Sequence, residues 1–354
     1  MKANMNLSNL KNLATSRTGK VSFVAAASAA ATALWVQAQA RRAEREHPPV
    51  GQFIDVDGMH LHYVERGKGS PVVLLHGNNV SHADFSASGL IDQLSKNHRV
   101  IAFDRPGYGH SNRPRDRLWT PQAQAALFHI ALARLGVEQA TVIGHSMGCM
   151  SALAMALDQP ATVGSLVLLG GYFYPSVRVD ALLAAPVALP VIGDVMRYTV
   201  TALTGRAALP GLVKVMFHPK PVPEEFFTTL SREMMLRPLQ LRANSEDAAF
   251  MMPAAKALSQ RYSKLKMPIT IIAGAQDEVV NVQAHSTRLH QELPQSELHV
   301  VPDTGHMVHY VAQEKIVAAV DIEKPSQNLM VDTPHARGSN GFSPQPTAEA
   351  TRPF

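Results

Sequence analysis

The segment TVIGHSMGCMSALAMAL, residues 141–157, joins a short apolar run, a glycine-flanked serine and a longer apolar stretch. Its beginning predicts a buried strand, and its end predicts a helix. Ser146 stands between them with Gly144 and Gly148 on either side, and small neighbours are what a tight strand-to-helix turn needs. The five-residue pattern alone occurs by chance. In this context it predicts a nucleophilic serine at the end of a strand.

Short apolar runs recur on both sides of this segment. Asp57 and Gly58 join the first two runs and predict an antiparallel hairpin. The later runs lack polar alternation and are separated by helical stretches, which is typical of parallel strands buried on both faces. The predicted strands are 53–56, 61–65, 72–75, 100–103, 141–143, 166–169, 269–273 and 298–301. With right-handed crossovers they form a mostly parallel, eight-stranded wound α/β sheet flanked by helices.

The alternation of strands and helices stops after Tyr174 and resumes at Ile269. The chain between them is rich in Pro, Leu and Met without a clear strand, which predicts a helical cap over the carboxyl edge of the sheet. The C-terminal tail is polar and without apolar periodicity, so we expect it to be disordered. The predicted parts are a first core section at 51–175, a cap at 176–262, a second core section at 263–322 and a tail at 323–354.

A serine hydroxyl is a poor nucleophile at neutral pH, so a histidine has to take its proton and an acid has to orient that histidine. Asp277 follows the strand 269–273. His306 follows the strand 298–301 and comes directly after Gly305, which gives the loop conformational freedom. The chain order Ser146, Asp277, His306 is the order found in hydrolases whose nucleophilic serine lies on a sharp strand-to-helix turn. A helix-capping role for Asp277 is the alternative, Asp303 is the rival acid, and His309 is the rival of His306 on the same segment.

Backbone amides have to be in place for the oxyanion that such a serine creates. The amide of Met147 directly follows the nucleophile at a helix start, and Asn78 follows the third strand in His76-Gly77-Asn78-Asn79. We therefore predict these two amides as the oxyanion hole.

These segments together resemble the α/β-hydrolase superfamily over about residues 51–322. The shared segments are HGNN, DRPGYGHS (104–111), GHSMG, GAQD and the GH histidine. The resemblance implies one capped hydrolase core in which Asp104, Arg105 and Tyr108 are structural. Because Ser146 replaces the elbow aspartate of haloalkane dehalogenases and epoxide hydrolases, those chemistries are disfavoured. HGNN in place of HGGG weakens assignment to many lipases.

Three functions remain open within this resemblance. The first is a serine hydrolase acting on a carboxylic ester or similar acyl substrate through an acyl-enzyme. The second uses the same triad as a carbon-carbon bond hydrolase or a perhydrolase. The third is a catalytically silent ligand-binding protein of the same fold. The motifs do not choose among them, and in each case the partner is a small molecule.

Composition argues against a nucleic-acid partner, a metal and a disulfide. Seven of the 33 basic and two of the 28 acidic residues fall in residues 1–46, which leaves 26 of each for the rest of the chain. The body therefore has no expected basic face. His306 and His309 lack ligand-spaced Cys, Asp or Glu nearby, so we expect neither a metal nor another cofactor. Cys149 is the only cysteine and is expected to be a buried helix residue.

The N-terminal region contains a possible membrane segment. Residues 1–20 are basic, and the uncharged, Ala-rich segment 21–40 is long enough to span a bilayer. A basic start, an apolar middle and Ala38-Gln39-Ala40 are also typical of a cleaved signal peptide. The chain is thus expected to be membrane-anchored, or exported after cleavage, unless the segment is a helix packed on the body.

Overall fold

The computed structural model describes residues 17–176 and 179–321, so the predicted disordered tail and the first part of the basic N-terminal region lie outside the described residues. One sheet forms its centre. The strands are β1 (Gln52–Val56), β2 (Met59–Arg66), β3 (Ser70–Leu75), β4 (His98–Phe103), β5 (Ala140–His145), β6 (Val163–Leu169), β7 (Ile269–Gly274) and β8 (Ser296–Val301).

The strand order is β1-β2-β4-β3-β5-β6-β7-β8. The β1–β2 hairpin turns at Asp57 and Gly58 and is antiparallel, as is the β2–β4 pair, and every other neighbouring pair is parallel. The prediction of a mostly parallel eight-stranded α/β sheet is therefore confirmed. Parallel pairing places the loops after β3, β5, β7 and β8 at one edge of the sheet.

Helices cover both faces of the sheet. The described α-helices are α1 (Arg17–Glu46), α2 (Ala83–Ala87), α3 (Leu90–Leu94), α4 (Pro121–Arg134), α5 (Met147–Asp158), α6 (Val179–Ala188), α7 (Ile192–Tyr198), α8 (Val200–Phe217), α9 (Glu224–Thr229), α10 (Arg232–Met235), α11 (Pro238–Ser259), α12 (Arg288–Glu292) and α13 (Gln313–Asp321). Thr120 caps α4, where its Oγ1 accepts a hydrogen bond from the Ala123 amide at 3.2 Å.

Strand residues alternate between two apolar cores. Val73 and Leu75 of β3 pack in a core shared with α4 and α5, whereas Val72 and Leu74 pack in a core shared with α2, α3 and α13. All four side chains are buried, which is why the strand lacks polar alternation. The six helices α6 to α11 lie between β6 and β7 in the chain, and the described residues of this segment contain no strand.

Two described helices are long and apolar enough to cross a membrane, namely Lys20–Glu46 and Val200–Phe217. Almost all of the first is exposed, and the second is only partly buried. The C-terminal half of α1 contacts the inserted helices α7, α10 and α11. The apolar N-terminal segment is thus one continuous helix whose end packs on the body.

Close backbone approach at Gly148 generates the first prediction. A Cβ at this position would lie 2.0 Å from the Leu75 carbonyl oxygen. Because backbone atoms there cannot move independently, we expect Gly148→Ala to lower the free energy of unfolding by about 2–3 kcal/mol. Denaturant unfolding of the detergent-solubilised full chain measures this.

Gly211→Ala is the matched control. Gly211 lies within α8, and a Cβ there would have no heavy atom within 4 Å. Replacing it by alanine should leave stability unchanged or raise it by about 0.5–1 kcal/mol. Equal unfolding midpoints for the two variants would contradict close approach at the turn.

Candidate active site

The turn after β5 holds Ser146 in a strained conformation. Its φ of 51° and ψ of −117° lie outside the regions that L-residues favour, at a cost of about 1–3 kcal/mol. The Ser146 amide donates to the Leu169 carbonyl at 2.9 Å, and the Ser146 carbonyl accepts from the Cys149 amide at 3.1 Å. Strand β6 and helix α5 thus hold the backbone on both sides of the serine. The predicted strand-serine-helix turn is present.

Asp277 and His306 are paired although 29 positions separate them in the chain. The Asp277 Oδ2 atom lies 2.8 Å from His306 Nδ1, and both side chains are buried. The other carboxylate oxygen accepts from the amides of Val279 and Val280 at 2.8 Å each. With Nδ1 donating to the carboxylate, Nε2 of His306 is the nitrogen that can accept a proton. The two amides belong to a turn, and the next described helix begins at Gln283, so Asp277 pairs with His306 rather than capping a helix.

Backbone contacts fix the two loops that carry this pair. The Gln276 amide donates to the Thr304 carbonyl at 2.9 Å, and the Thr304 amide donates to Gln276 Oε1 at 3.1 Å. At Gly274 a Cβ would lie 2.1 Å from the Gly305 carbonyl oxygen. These contacts hold the end of β7 against the segment after β8.

The two rivals from the sequence are located elsewhere. Asp303 is exposed at a φ of 50°, and within the described chain it makes no hydrogen bond or ion pair. His309 places its Nε2 2.9 Å from Asp84 Oδ2, and Tyr310 donates to the other Asp84 oxygen at 2.9 Å. The acid partner of His306 is therefore Asp277.

Ser146 and His306 line one cavity of about 240 Å³. The segment after β3 and the inserted helices complete its wall. Its lining residues include Asn78, Met147, Tyr172, Leu212, Met216, Asn244, Met251 and Val280. The cap methionines Met216 and Met251 thus contribute to a largely apolar wall. A larger cavity of about 350 Å³ lies at the end of α1 and contains none of the predicted site residues.

Two amides at this cavity are free to bind an oxyanion. The Met147 amide begins α5, and the Asn78 amide lies in the loop after β3. Within residues 17–176 and 179–321, neither amide donates a hydrogen bond. Both residues line the cavity together with Ser146. Free amides at a helix start are suited to an anion.

A buried ionic network fixes the Asn78 side chain. Asn78 Oδ1 accepts from Arg105 Nη2 at 2.7 Å and from the Tyr108 hydroxyl at 2.9 Å. Arg105 and Arg113 both pair with Asp247 of α11, at 2.7 and 2.9 Å. Burial, with the neighbouring Asp247 carboxylate, raises the pKa of Tyr108 well above its usual value. Arg105 and Tyr108 therefore have the structural role that the resemblance implied, whereas Asp247 had no signal in the sequence.

His76 and His145 are the other histidines next to the serine turn, and both remain neutral. Burial, with the nearby Arg105 cation, lowers the pKa of His76 to about 3. Its Nδ1 donates to the Gly77 carbonyl at 2.7 Å, and its Nε2 accepts from the Arg105 amide at 2.9 Å. Burial also holds the pKa of His145 well below its usual value, with His309 and His306 contributing. These are hydrogen-bonding neighbours rather than bases.

Among the residues that the structure describes, two buried groups of side chains have the composition of metal ligands. They are His62 with His82 and Asp104, and Asp84 with His145 and His309. Both Asp104 oxygens lie within 2.8 Å of an imidazole nitrogen, distances that fit N–H···O hydrogen bonds. Although burial alone would raise it, the pKa of Asp104 is held well below its usual value by His82 and His62. The first group is therefore a structural hydrogen-bond cluster.

The family assignment follows from comparison with known proteins. The chain belongs to the alpha/beta hydrolase fold family, whose pattern matches residues 70–313. It is 30% identical over 261 residues to a 2-hydroxy-6-oxononadienedioate/2-hydroxy-6-oxononatrienedioate hydrolase of Pseudomonas putida, covering 71% of this chain and 87% of that one. It is 26% identical over 287 residues to a 2-hydroxymuconate semialdehyde hydrolase of Pseudomonas putida, covering 79% and 95%.

Solved structures show the same fold. An esterase from Exiguobacterium antarcticum superposes with a TM-score of 0.62 at 22% identity, covering 77% of this chain and 98% of the esterase. The curated relatives and this neighbour are named as hydrolases or as an esterase. The chain is therefore a hydrolase with the alpha/beta hydrolase fold.

The opposite environments of two nearby histidines generate a pH prediction. The pKa of His76 is lowered to about 3, so His76 stays neutral on acidification until the pH reaches that value. The pKa of His82 is raised, because the Asp104 carboxylate outweighs the burial that would lower it. Histidine C2 hydrogen–deuterium exchange, read by peptide mass spectrometry, should give a midpoint near pH 3 for His76 and one above the ordinary histidine value for His82.

The same shift predicts the sign of a stability change. Because the pKa of His76 is lower in the folded chain, the unfolded chain binds the extra proton, and stability from His76 is lost as the pH falls from about 6.5 toward 3. An exchange midpoint for His76 in the ordinary histidine range would show that its site is open to solvent and that the loop after β3 is not packed as described.

Proposed function

We propose that this hydrolase cleaves a carboxylic ester or a similar acyl substrate, with Ser146 as nucleophile, His306 as base and Asp277 as the orienting acid. The observation that carries the proposal is the buried 2.8 Å contact between His306 Nδ1 and Asp277, in the cavity that Ser146 also lines. A strained serine beside an oriented imidazole is the arrangement that acyl transfer requires.

The proposed reaction has two steps. Ser146 Oγ attacks the acyl carbonyl carbon and gives its proton to His306 Nε2, while the carbonyl oxygen becomes an oxyanion bound by the amides of Asn78 and Met147. The alcohol leaves with the proton from His306, and an acyl-enzyme remains. Water then attacks, gives a proton to His306, and the acid leaves as Ser146 regains its hydrogen. In both steps Asp277 orients the imidazole through its contact with His306 Nδ1.

Carbon-carbon bond cleavage by the same triad is the second candidate, because both curated Pseudomonas putida relatives carry names of that kind. The first of them is named for dioates, which have two carboxylates. Among the described residues that line the Ser146 cavity there is no Lys or Arg, and the ionisable side chains there are His145, Tyr172 and His306. A described lining without a Lys or Arg cation is a poor site for a dianion. This difference favours an uncharged acyl substrate.

A perhydrolase reaction or a silent ligand-binding role would use the same cavity. The paired acid and base and the two free amides favour catalysis over silent binding, because a binding protein has no need for them. No observation in the cavity favours peroxide over water. The partner we propose is therefore a small uncharged acyl molecule rather than a nucleic acid.

Replacing the nucleophile tests the proposal directly. We expect Ser146→Ala to abolish fluorophosphonate labelling and to lower the hydrolysis of p-nitrophenyl butyrate roughly 10⁶-fold, because no other group can form the acyl-enzyme. Cys149→Ala is the control, since Cys149 is fully buried and should leave both unchanged. Labelling that persists in Ser146→Ala would refute the assignment. Turnover of a ring-cleavage diketone at a rate exceeding that of the ester would favour the second candidate.

The acid is tested by a matched pair of substitutions. Asp277→Asn should lower the rate of fluorophosphonate labelling and of ester hydrolysis roughly 10⁴-fold, because an amide cannot hold the imidazole in the required tautomer. Asp303→Asn removes the exposed neighbouring acid and should have no effect on either rate. Comparable losses in the two variants would show that the pairing with His306 is not what activates the serine.

A further inference from the structure

The inserted helices α7 and α8 carry an apolar surface that the described chain leaves uncovered. Six Val, Ile and Leu side chains on these two helices and the residue before them are between 41% and 73% exposed. We name them the cap surface: Val191, Ile192, Val195, Val200, Leu203 and Val215. Soluble monomers seldom expose so many large apolar side chains on neighbouring elements, so a partner is expected to cover them.

The C-terminal half of α1 packs against α7 and α8. The Arg206 guanidinium of α8 lies 4.6 Å from the centre of the Trp35 ring. Val36 is buried in a cluster that includes Ala202 of α8. Glu44 pairs with Arg237 at 2.8 Å. A cut after Ala40 would remove Trp35 and Val36 from this packing, which favours a retained anchor over a cleaved signal.

The exposed part of α1 is too short to span a bilayer by itself, and this places the cap close to the membrane. Residues 20–31 of α1 are exposed along their whole length, and Thr32 is the first residue of the helix that is partly buried. These twelve residues span about 18 Å, whereas a bilayer core is about 30 Å thick. Insertion of the whole uncharged segment 21–40 therefore brings the helices that pack beside its C-terminal half to the membrane surface.

Charge in the sequence fits the same arrangement. Arg41, Arg42 and Arg45 directly follow the uncharged segment, in the part of α1 that packs on the body, and all three are exposed. Basic side chains at that depth lie among lipid headgroups and are attracted by anionic lipids. Helix α1 thus contacts α7, which carries part of the cap surface, and its own last turns carry these cations.

We infer that the cap surface lies on a lipid bilayer, held there by α1. Helix α8 also supplies Leu212 and Met216 to the wall of the Ser146 cavity, so one helix connects the bilayer with the proposed nucleophile. The consequence for the substrate rests on the proposed function: the acyl ester is an apolar molecule that reaches Ser146 from the membrane rather than from water.

Fluorescence quenching tests the surface without using activity. Cys149 is buried, so single cysteines introduced at exposed positions can be labelled selectively with an environment-sensitive fluorophore. We choose Val195→Cys and Leu203→Cys on the cap surface, and Phe53→Cys and Val300→Cys on the edge strands β1 and β8 as controls. The full chain is reconstituted into vesicles of phosphatidylcholine and phosphatidylglycerol.

The ratio of quenching by nitroxide-labelled lipid to quenching by aqueous iodide decides the outcome. Both cap labels should show a higher ratio than both control labels. Equal or lower ratios at the cap positions would overturn the inference. Because the readout needs no turnover, this result is independent of whether Ser146 is catalytic.

A second experiment tests the route of the substrate. The double variant Val195→Glu, Leu203→Glu should hydrolyse water-soluble p-nitrophenyl butyrate at the wild-type rate and a long-chain acyl ester embedded in vesicles at least about tenfold more slowly. The control Phe53→Glu, Val300→Glu should retain both activities. An equal loss on both esters, or no loss on either, would count against delivery from the bilayer, whereas failure of the proposed function would instead leave wild type inactive on both.

Discussion

The arrangement of the site depends on one backbone constraint, the strained conformation of Ser146 between β5 and α5. It persists because the surroundings hold it from every side: Leu169 of β6 accepts its amide hydrogen bond, and α5 begins at the next residue. Helix α5 can approach the end of β3 only because Gly148 has no side chain. The packing of the sheet against its helices therefore maintains the strained backbone of Ser146. This backbone conformation positions both the Ser146 hydroxyl and the Met147 amide.

The inserted helices are part of the site rather than a removable lid. Asp247 of α11 binds Arg105 and Arg113, and Arg105 in turn binds the side chain of Asn78. Breaking a buried ion pair by removing one partner is costly because it leaves an uncompensated charge. The position of the Asn78 amide is thereby coupled to the packing of α11. Helix α8 likewise contributes to the cavity wall on one side and to the cap surface on another.

Most of the sheet could be predicted from the sequence because its strands are apolar on both faces and alternate with helices. The serine turn, with Asp277 and His306 after later strands, was also predictable, since parallel strands end at one edge of the sheet. The partners that depend on the inserted helices were not. Asp247 lies 142 residues from Arg105 in the chain, and no local pattern links them.

The histidine pairs show the same limit. Proximity in sequence left His309 without an acid, whereas the fold brings it to Asp84, 225 residues away. The sequence left Asp277 open to a helix cap or an acid role, whereas in the structure one oxygen lies against His306 and the other accepts from two amides of its own turn. Side-chain geometry of this kind follows from packing, which one sequence does not specify.

A strained serine, an oriented imidazole and two free amides line one cavity. A crystal structure of the full chain after reaction with a fluorophosphonate would show whether they act on the same group. We expect phosphorus bonded to Ser146 Oγ, with a phosphonyl oxygen about 2.7–3.1 Å from the amide nitrogens of both Asn78 and Met147. An adduct on another residue, or a phosphonyl oxygen that contacts neither amide, would contradict this expectation.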